Sequence, residues 1–196
     1  MAWIWLGIIV VLTLLELATV NLVTVWFIAS AIVSLVLSIF IGYSIGVAPI
    51  VGYNYGAKNN IELKNVYKKS LKIIIISSLL MLVFSIALSS PLSYIFVGYD
   101  KELFDLTKRA FVIYSFSSLF AGIAIFASSF FTALNNGLIS ALISFLRTLV
   151  FQIAAVFLLP LVFDVDGIWL SVVLAEFMAC VLSIIFLISK RKKYHP

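Results

Sequence analysis

The amino-acid sequence predicts an all-α integral membrane protein with six transmembrane helices. Of its 196 residues, 64% are hydrophobic and only 11% are charged, whereas a soluble globular domain is about half apolar and about one quarter charged. Apolar stretches long enough to cross about 30 Å of hydrocarbon recur along the whole chain. These stretches are expected to be helical, because backbone amide and carbonyl groups in lipid need hydrogen-bond partners within their own segment.

Short polar connections separate the six apolar segments. Asp100 is a candidate N-cap for the fourth helix, and Asn135-Asn136-Gly137 predicts a tight turn because Asn and Gly tolerate positive φ. The third helix is expected to be disturbed near Pro91 and Gly98. The predicted segments lie at about residues 2–20, 22–53, 70–97, 103–134, 138–163 and 167–189.

Basic residues follow the second and sixth segments and predict the orientation of the chain. Positively charged loops are usually cytoplasmic, so both clusters and both termini are expected inside the cell. This placement explains the formal charge of +5 without nucleic-acid binding. The excess of Lys over Arg, together with plentiful Ile and Asn, is typical of an AT-rich bacterial genome, so the expected location is a bacterial plasma membrane. The two clusters consist of Lys58, Lys64, Lys68, Lys69 and Lys72, and of Lys190, Arg191, Lys192 and Lys193.

No constellation of residues typical of an enzyme is present. The single histidine, His195, is the penultimate residue, and Cys180 has no second cysteine with which to form a disulfide. No metal-ligand spacing, phosphate-binding loop or catalytic triad occurs. The sequence therefore predicts neither an enzyme nor a metal site nor a bound cofactor.

Polar side chains inside the fourth and fifth apolar segments are candidates for function. Such a face either packs against another helix through hydroxyl groups or lines a water-filled cavity. A cavity is favoured for the fifth segment, because Arg147 lies beside its stripe, and packing is favoured for the fourth. The stripe of the fifth segment is Ser140, Ser144, Thr148 and Gln152, and the face of the fourth is Ser115, Ser118, Gly122, Ser129 and Thr132.

Arg147 and Glu176 are charged residues deep within apolar segments, where a charge costs about 3 kcal/mol or more and usually faces a partner or water. Arg147 lies ten residues beyond Gly137, and Glu176 lies ten residues beyond Asp166. At the helical rise, Arg147 is about 15 Å from the inner end of its helix and Glu176 is about 15 Å from the outer end of its helix. Since the predicted segment 138–163 is about 39 Å long at the same rise, the two backbone depths differ by about 9 Å. Because two extended side chains can nearly span that gap, the pair is predicted to meet inside the bundle.

The stretch from Ile39 to Ala57 combines an apolar helix with glycines and a proline. Pro49 has no N–H group and predicts a kink or a loosened turn. Gly42 and Gly46 are four residues apart, which lets another helix approach closely in lipid. Composition alone supports a kinked, tightly packed transmembrane helix here.

Three stretches resemble multidrug and toxic compound extrusion (MATE) transporters in sequence order. GYSIGVAPIVGYNYGAKN at 42–59 looks like their eighth helix and the loop after it, and FFTALNNGLISALISFLRTLVFQ at 130–152 and VDGIWLSVVLAE at 165–176 match later stretches. The resemblance covers about residues 39–190 and implies the second lobe of a transporter with twelve helices in two lobes. Family members exchange small organic cations for Na⁺ or H⁺, so either is the implied coupling ion.

In this family the substrate binds between the two lobes. The carboxylate that binds the coupling ion is commonly on the first, seventh or tenth helix of the family. In this chain the first helix is absent and the seventh is replaced. The segment matching the tenth, 110–134, has no carboxylate. The chain is therefore not expected to carry out transport alone. Its expected partners are the lipid bilayer and either a separately encoded N-terminal lobe or a second copy of itself. Polarity and depth select five cavity residues: Tyr114, Gly122, Arg147, Gln152 and Glu176.

Residues 1–38 depart from this resemblance. With ELATVNLVTVWF at 16–27, they resemble the N-terminal helical hairpin of NfeD-like membrane proteins. The sequence thus divides into a hairpin at 1–38, a lobe at 39–190 and a basic cytoplasmic tail at 191–196. Two alternative functions stay open, an NfeD-like accessory or scaffold protein without transport activity and an inactive truncated or fused product.

Overall fold

The computed structural model describes Ser34 and residues 37–190, and all regular secondary structure in that part of the chain is helical. Five helical spans are long and apolar enough to cross a membrane. They confirm the predicted helical membrane fold and correspond to the second to sixth predicted segments. The first predicted segment, the proposed hairpin and the basic tail lie mostly or wholly outside the described residues.

The five spans contain seven α-helices and one π-helical segment. Turns of a few residues join successive spans, so neighbours in sequence run antiparallel. The third span contains α3 and α4, and the fourth contains α5, the π-helical segment and α6. The bounds are α1 Leu37–Gly56, α2 Asn60–Val97, α3 Lys101–Ser115, α4 Ser117–Ala133, α5 Gly137–Phe145, the π-helical segment Leu146–Phe151, α6 Gln152–Leu158 and α7 Pro160–Ser189.

Side-chain caps determine where three of these helices begin. The Asp100 carboxylate accepts hydrogen bonds from the backbone N–H groups of the second and third residues after it, at 2.9 and 3.2 Å, which confirms its predicted role as an N-cap. Asn59 caps α2 and Asn136 caps α5 in a similar way. The predicted Asn135-Asn136-Gly137 turn is also confirmed, with Asn135 at a φ of 57°.

The longest helix, α2, continues through Pro91 to Val97 and ends at Gly98. The disturbance predicted near Pro91 therefore does not end the helix, since a proline removes only its own N–H donor and one hydrogen bond. With 38 residues, α2 is about 57 Å long at the helical rise. Because hydrocarbon is about 30 Å thick, the lysine-bearing first turns extend beyond the apolar span.

The connection between the fifth and sixth predicted transmembrane segments lies where the sequence predicted it, between residues 163 and 167. Helical backbone continues past Pro160, because the Leu159 N–H bonds the Ala155 carbonyl and the Phe163 N–H bonds the Leu159 carbonyl, both at 2.9 Å. The chain reverses at Asp164, whose φ of 49° and ψ of −130° interrupt α7. The reversal brings Gly167 so close to Leu159 that a Cβ would lie 2.5 Å from the Leu159 carbonyl carbon and oxygen. Only glycine fits this approach without a backbone shift.

Three clusters of buried side chains hold the helices together. Val51 and Leu63 belong to the cluster at the end where α2 and α5 begin. Val97 and Trp169 belong to the cluster at the opposite end, and Phe40 belongs to one between them. Helix α4 contributes to two clusters and contacts α2, α5 and α7, so it lies at the centre of the bundle.

The two ends of the bundle differ in charge. The basic end, where α2 and α5 begin, carries six lysines within the described residues and one carboxylate, Glu62. The mixed end, where α2 ends and α3 begins, carries Lys101, Lys108 and Arg109 together with five carboxylates. The predicted orientation, with the basic end in the cytoplasm, depends on this difference and stays a prediction.

One buried face of α2 is lined by serines that the sequence analysis did not single out. Small side chains let α3 and α4 approach α2 closely. Ser70 on this face also accepts a hydrogen bond of 3.0 Å from the Tyr43 hydroxyl of α1. The buried serines are Ser70, Ser78, Ser85, Ser89 and Ser93.

Candidate functional site

Arg147 and Glu176 form an ion pair within the membrane-spanning part of the bundle. The Arg147 Nε donates to both Glu176 oxygens, at 3.0 and 2.9 Å, and its Nη2 donates to Oε1 at 2.8 Å. The two side chains are only 20% and 10% exposed. The pairing predicted from the helical depths is confirmed, and its charge-assisted geometry is of the strong, two-point kind.

The π-helical segment Leu146–Phe151 carries Arg147 in the middle of the fourth span. A π-helix bonds residue i to i+5 instead of i+4, is rare, and frequently occurs at functional sites. Its wider turn changes the direction of the side chains before it relative to those after it. A pattern search that assumes 3.6 residues per turn does not indicate this segment.

The ion pair lines a cavity of about 310 Å³. Side chains from α1, α3, α4, the π-helical segment, α6 and α7 contribute to its wall, and both polar and apolar groups are present. Arg147 and Glu176 supply its two charges, which cancel. The lining residues are Leu37, Tyr114, Ser117, Arg147, Thr148, Gln152, Val172 and Glu176.

The structure brings together four of the five residues selected for a cavity from the sequence. Tyr114, Arg147, Gln152 and Glu176 all line this cavity, although their role in binding stays a prediction. Gly122 does not line it. A Cβ on Gly122 would lie 3.0 Å from side-chain atoms of Phe40, Ile74 and Ser78, so this glycine lies where α1, α2 and α4 meet.

The three residues predicted to shape α1 lie on its surface. A Cβ at Gly42 or Gly46 would meet no atom within 4 Å, so no described helix packs tightly there. The helix is continuous through Pro49, which is exposed. The predicted kink and close helix packing at these positions stay predictions.

The polar stripe of the fifth apolar segment serves two purposes. Its first half joins α5 to α4, because the Ser128 hydroxyl lies 2.9 Å from the hydroxyls of Ser140 and Ser144. Its second half, Thr148 and Gln152, lines the cavity. The π-helical segment lies between the halves, so both the packing and the cavity interpretation apply, each to part of the stripe.

Sequence reasoning missed one residue of the site and one ion pair outside it. Ser117 lines the cavity and is 1% exposed, and its hydroxyl has no hydrogen-bond partner in the described part of the chain. The sequence feature that could have indicated Ser117 is its position as a polar residue just after the break between α3 and α4. Arg109 and Asp166 form a second ion pair at the mixed end, where Arg109 is 67% exposed.

Within residues 37–190, no group of three His, Cys, Asp or Glu side chains lies close enough together to bind a metal ion. Glu176 is the one carboxylate of the cavity wall, and both its oxygens already bind Arg147. A cation or a proton that bound Glu176 would compete with the guanidinium group.

Comparison with known proteins connects this chain to a transporter family. The MatE family model matches residues 1–158. That match includes residues 1–38, so the comparisons do not show the NfeD-like resemblance of the hairpin. No curated protein matches the chain in sequence.

Solved structures of MATE transporters share the fold at low sequence identity. The outward-facing conformation of a multidrug resistance MATE family transporter of the MOP superfamily aligns with a TM-score of 0.82 and 18% identity, over 89% of this chain and 40% of that one. An inward-facing conformation gives 0.79 and 18%, over 87% and 40%. The bent form of the Vibrio cholerae MATE transporter VcmN gives 0.76 and 18%, over 91% and 43%. The chain thus spans less than half the length of these transporters.

Proposed function

Because the chain belongs to the MatE family, we propose that it supplies one lobe, the second, of a multidrug/cation antiporter in a bacterial plasma membrane. Members of the family are transporters, which confirms the prediction that the chain is not an enzyme. The proposed transporter expels small organic cations in exchange for Na⁺ or H⁺. The Arg147–Glu176 pair, which lines a cavity at membrane depth, is the observation that carries this proposal.

The chemistry of the cavity suits a mobile cation. An organic cation, Na⁺ or H⁺ that reaches Glu176 takes the place of Arg147 at the carboxylate. Tyr114 adds an aromatic ring that attracts cations through its face. The Ser117 hydroxyl supplies a buried polar group that gains a partner when water or a ligand enters the cavity.

A second lobe is needed for this function. Alternating access requires two units that move against each other around a shared site, and the chain spans about 40% of the transporters that it resembles. The exposed face of α1 with Gly42 and Gly46 is open to such a unit. A separately encoded N-terminal lobe is the proposed partner, ahead of a second copy, because a symmetric pair would gain no carboxylate on the helix corresponding to the tenth.

The rival functions depend on residues 1–38. An NfeD-like accessory or scaffold protein would need a foreign hairpin there, whereas the MatE match includes those residues. This favours the transporter lobe. An inactive truncated or fused product would give no transport in the efflux measurement, whereas a working lobe would give transport together with its partner lobe.

Efflux in a bacterium that lacks its own drug pumps tests the proposal. The chain alone, with membrane insertion verified, is expected to give no ethidium efflux above the empty vector. Co-expression with the six-helix first lobe of a full-length family member is expected to produce efflux. Glu176→Gln should abolish that efflux, and Asp166→Asn in the exposed pair should preserve it. Inserted chain without efflux in either setting would contradict the proposal.

The orientation is tested by thiol labelling in intact cells. In a Cys180→Ala background, a cysteine at Tyr99 is expected to react with an impermeant maleimide, because the mixed end should face outward. A cysteine at Asn60 should react only after the cells are opened. Both positions are exposed in the structure. Labelling at 60 but not at 99 in intact cells would reverse the proposed orientation.

A further inference from the structure

Lysines of α2 form a positive band on the face that points away from the bundle. Lys64, Lys68 and Lys72 are four residues apart and exposed, so they share one face over about 12 Å. The buried residues in this part of α2, among them Leu63 and Ser70, lie on another side of the helix. The band is therefore accessible from outside the bundle.

The same face becomes apolar within the next turn. Ile75, Ile76, Leu79 and Val83 are 48%, 58%, 53% and 66% exposed. In a helix that crosses the bilayer, such side chains face acyl chains. The positive band thus continues directly into a lipid-facing apolar surface.

The length of α2 places this boundary at the level of the lipid headgroups. Lys72 and Lys68 are 25 and 29 residues from Val97 at the other end of the helix, or about 38 and 44 Å at the helical rise. A bilayer with its headgroup regions is about 40–45 Å thick. With Val97 at one interface, both lysines lie at headgroup level on the opposite side.

The positive band is not neutralised by any carboxylate of residues 37–190. Glu62, the one carboxylate of the basic end in that range, accepts a hydrogen bond from the Asn65 side chain at 3.3 Å. The ion pairs of the described residues lie at the mixed end and in the cavity. A negatively charged group from outside the described chain would therefore supply the missing partner.

We propose that this face of α2 is a binding site for an anionic phospholipid. The phosphate pairs with Lys68 and Lys72, and the acyl chains lie along Ile75, Leu79 and Val83. A basic residue near an anionic headgroup strengthens binding by about fivefold. The site is independent of the transport function and of the orientation, because anionic lipid in the adjacent leaflet is all that it requires.

Native mass spectrometry of the purified full chain with equal amounts of phosphatidylglycerol and phosphatidylcholine tests the site. The wild type should retain phosphatidylglycerol preferentially, and higher ionic strength during loading should weaken the preference. Lys68→Gln/Lys72→Gln should lower the preference about 25-fold, which is fivefold for each lysine removed. Lys101→Gln/Lys108→Gln, which removes the same charge from the mixed end, should leave it unchanged, as should the charge-preserving Lys68→Arg/Lys72→Arg.

Several results would overturn this site. Equal retention of both lipids by the wild type would show a solvated lysine face without lipid preference. Equal loss of preference in the two glutamine variants, or loss only in the mixed-end variant, would assign the effect to overall charge or to another surface.

Discussion

Glu176→Leu is expected to lower the free energy of unfolding in detergent by about 3–5 kcal/mol, because it leaves the charge of Arg147 without its partner in a largely desolvated place. Arg147→Leu should cost a similar amount, since the carboxylate of Glu176 is then stranded instead. The measurement is chemical unfolding of the purified chain, followed by its helical signal.

The double variant Arg147→Leu/Glu176→Leu should lose less than the sum of the two single variants. Replacing both members of a buried pair by apolar side chains leaves no uncompensated charge, so the double-mutant cycle should yield a favourable coupling energy. Asp166→Asn is the matched control, because its partner Arg109 is 67% exposed and exposed pairs contribute at most about 1 kcal/mol. Additive losses at 147 and 176 would show that the two residues do not interact.

Gly122→Leu should also lower stability strongly. A Cβ at this position already lies 3.0 Å from Phe40, Ile74 and Ser78, and a leucine side chain would need considerably more room. Overpacking of this kind costs about 1–3 kcal/mol, and occasionally more. The effect should be measured under the same unfolding conditions as for Glu176.

Gly46→Leu is the matched control for Gly122→Leu. Both changes replace a helical glycine by the same side chain and gain the same helix propensity, but a Cβ at Gly46 meets no atom within 4 Å. The difference between the two variants therefore measures packing alone. If Gly122→Leu were as stable as Gly46→Leu yet changed transport, Gly122 would belong to the cavity, as the sequence analysis predicted.

The features that depend on helix geometry were largely predictable from the sequence. Apolar runs determined the five described spans, because lipid leaves the backbone no alternative to a helix. The Arg147–Glu176 contact followed from counting residues inward from Gly137 and Asp166, since the helical rise is nearly constant. The N-cap at Asp100 followed from its side-chain chemistry.

The features that depend on packing were not predictable in this way. A glycine among polar residues of an apolar helix is expected both at a helix junction and in a cavity wall. Which of the two applies to Gly122 depends on the side chains that surround it in the folded structure. A π-helical segment forms when backbone N–H groups bond the carbonyl five residues earlier instead of four. The spacing of polar and apolar side chains does not indicate which of these hydrogen-bond patterns the backbone adopts. The cavity position of Ser117 likewise depends on how α3 meets α4.

Thiol labelling of Thr148→Cys and Leu149→Cys tests most directly whether the Arg147–Glu176 pair faces water inside the membrane. Both residues are exposed neighbours in the π-helical segment at nearly the same depth, but only Thr148 lines the cavity. A small water-soluble methanethiosulfonate, which reacts with the thiolate, applied to opened membranes of a Cys180→Ala chain should label position 148 and spare position 149. Labelling of 149 but not 148, or equal labelling of both, would contradict a water-filled cavity at this pair.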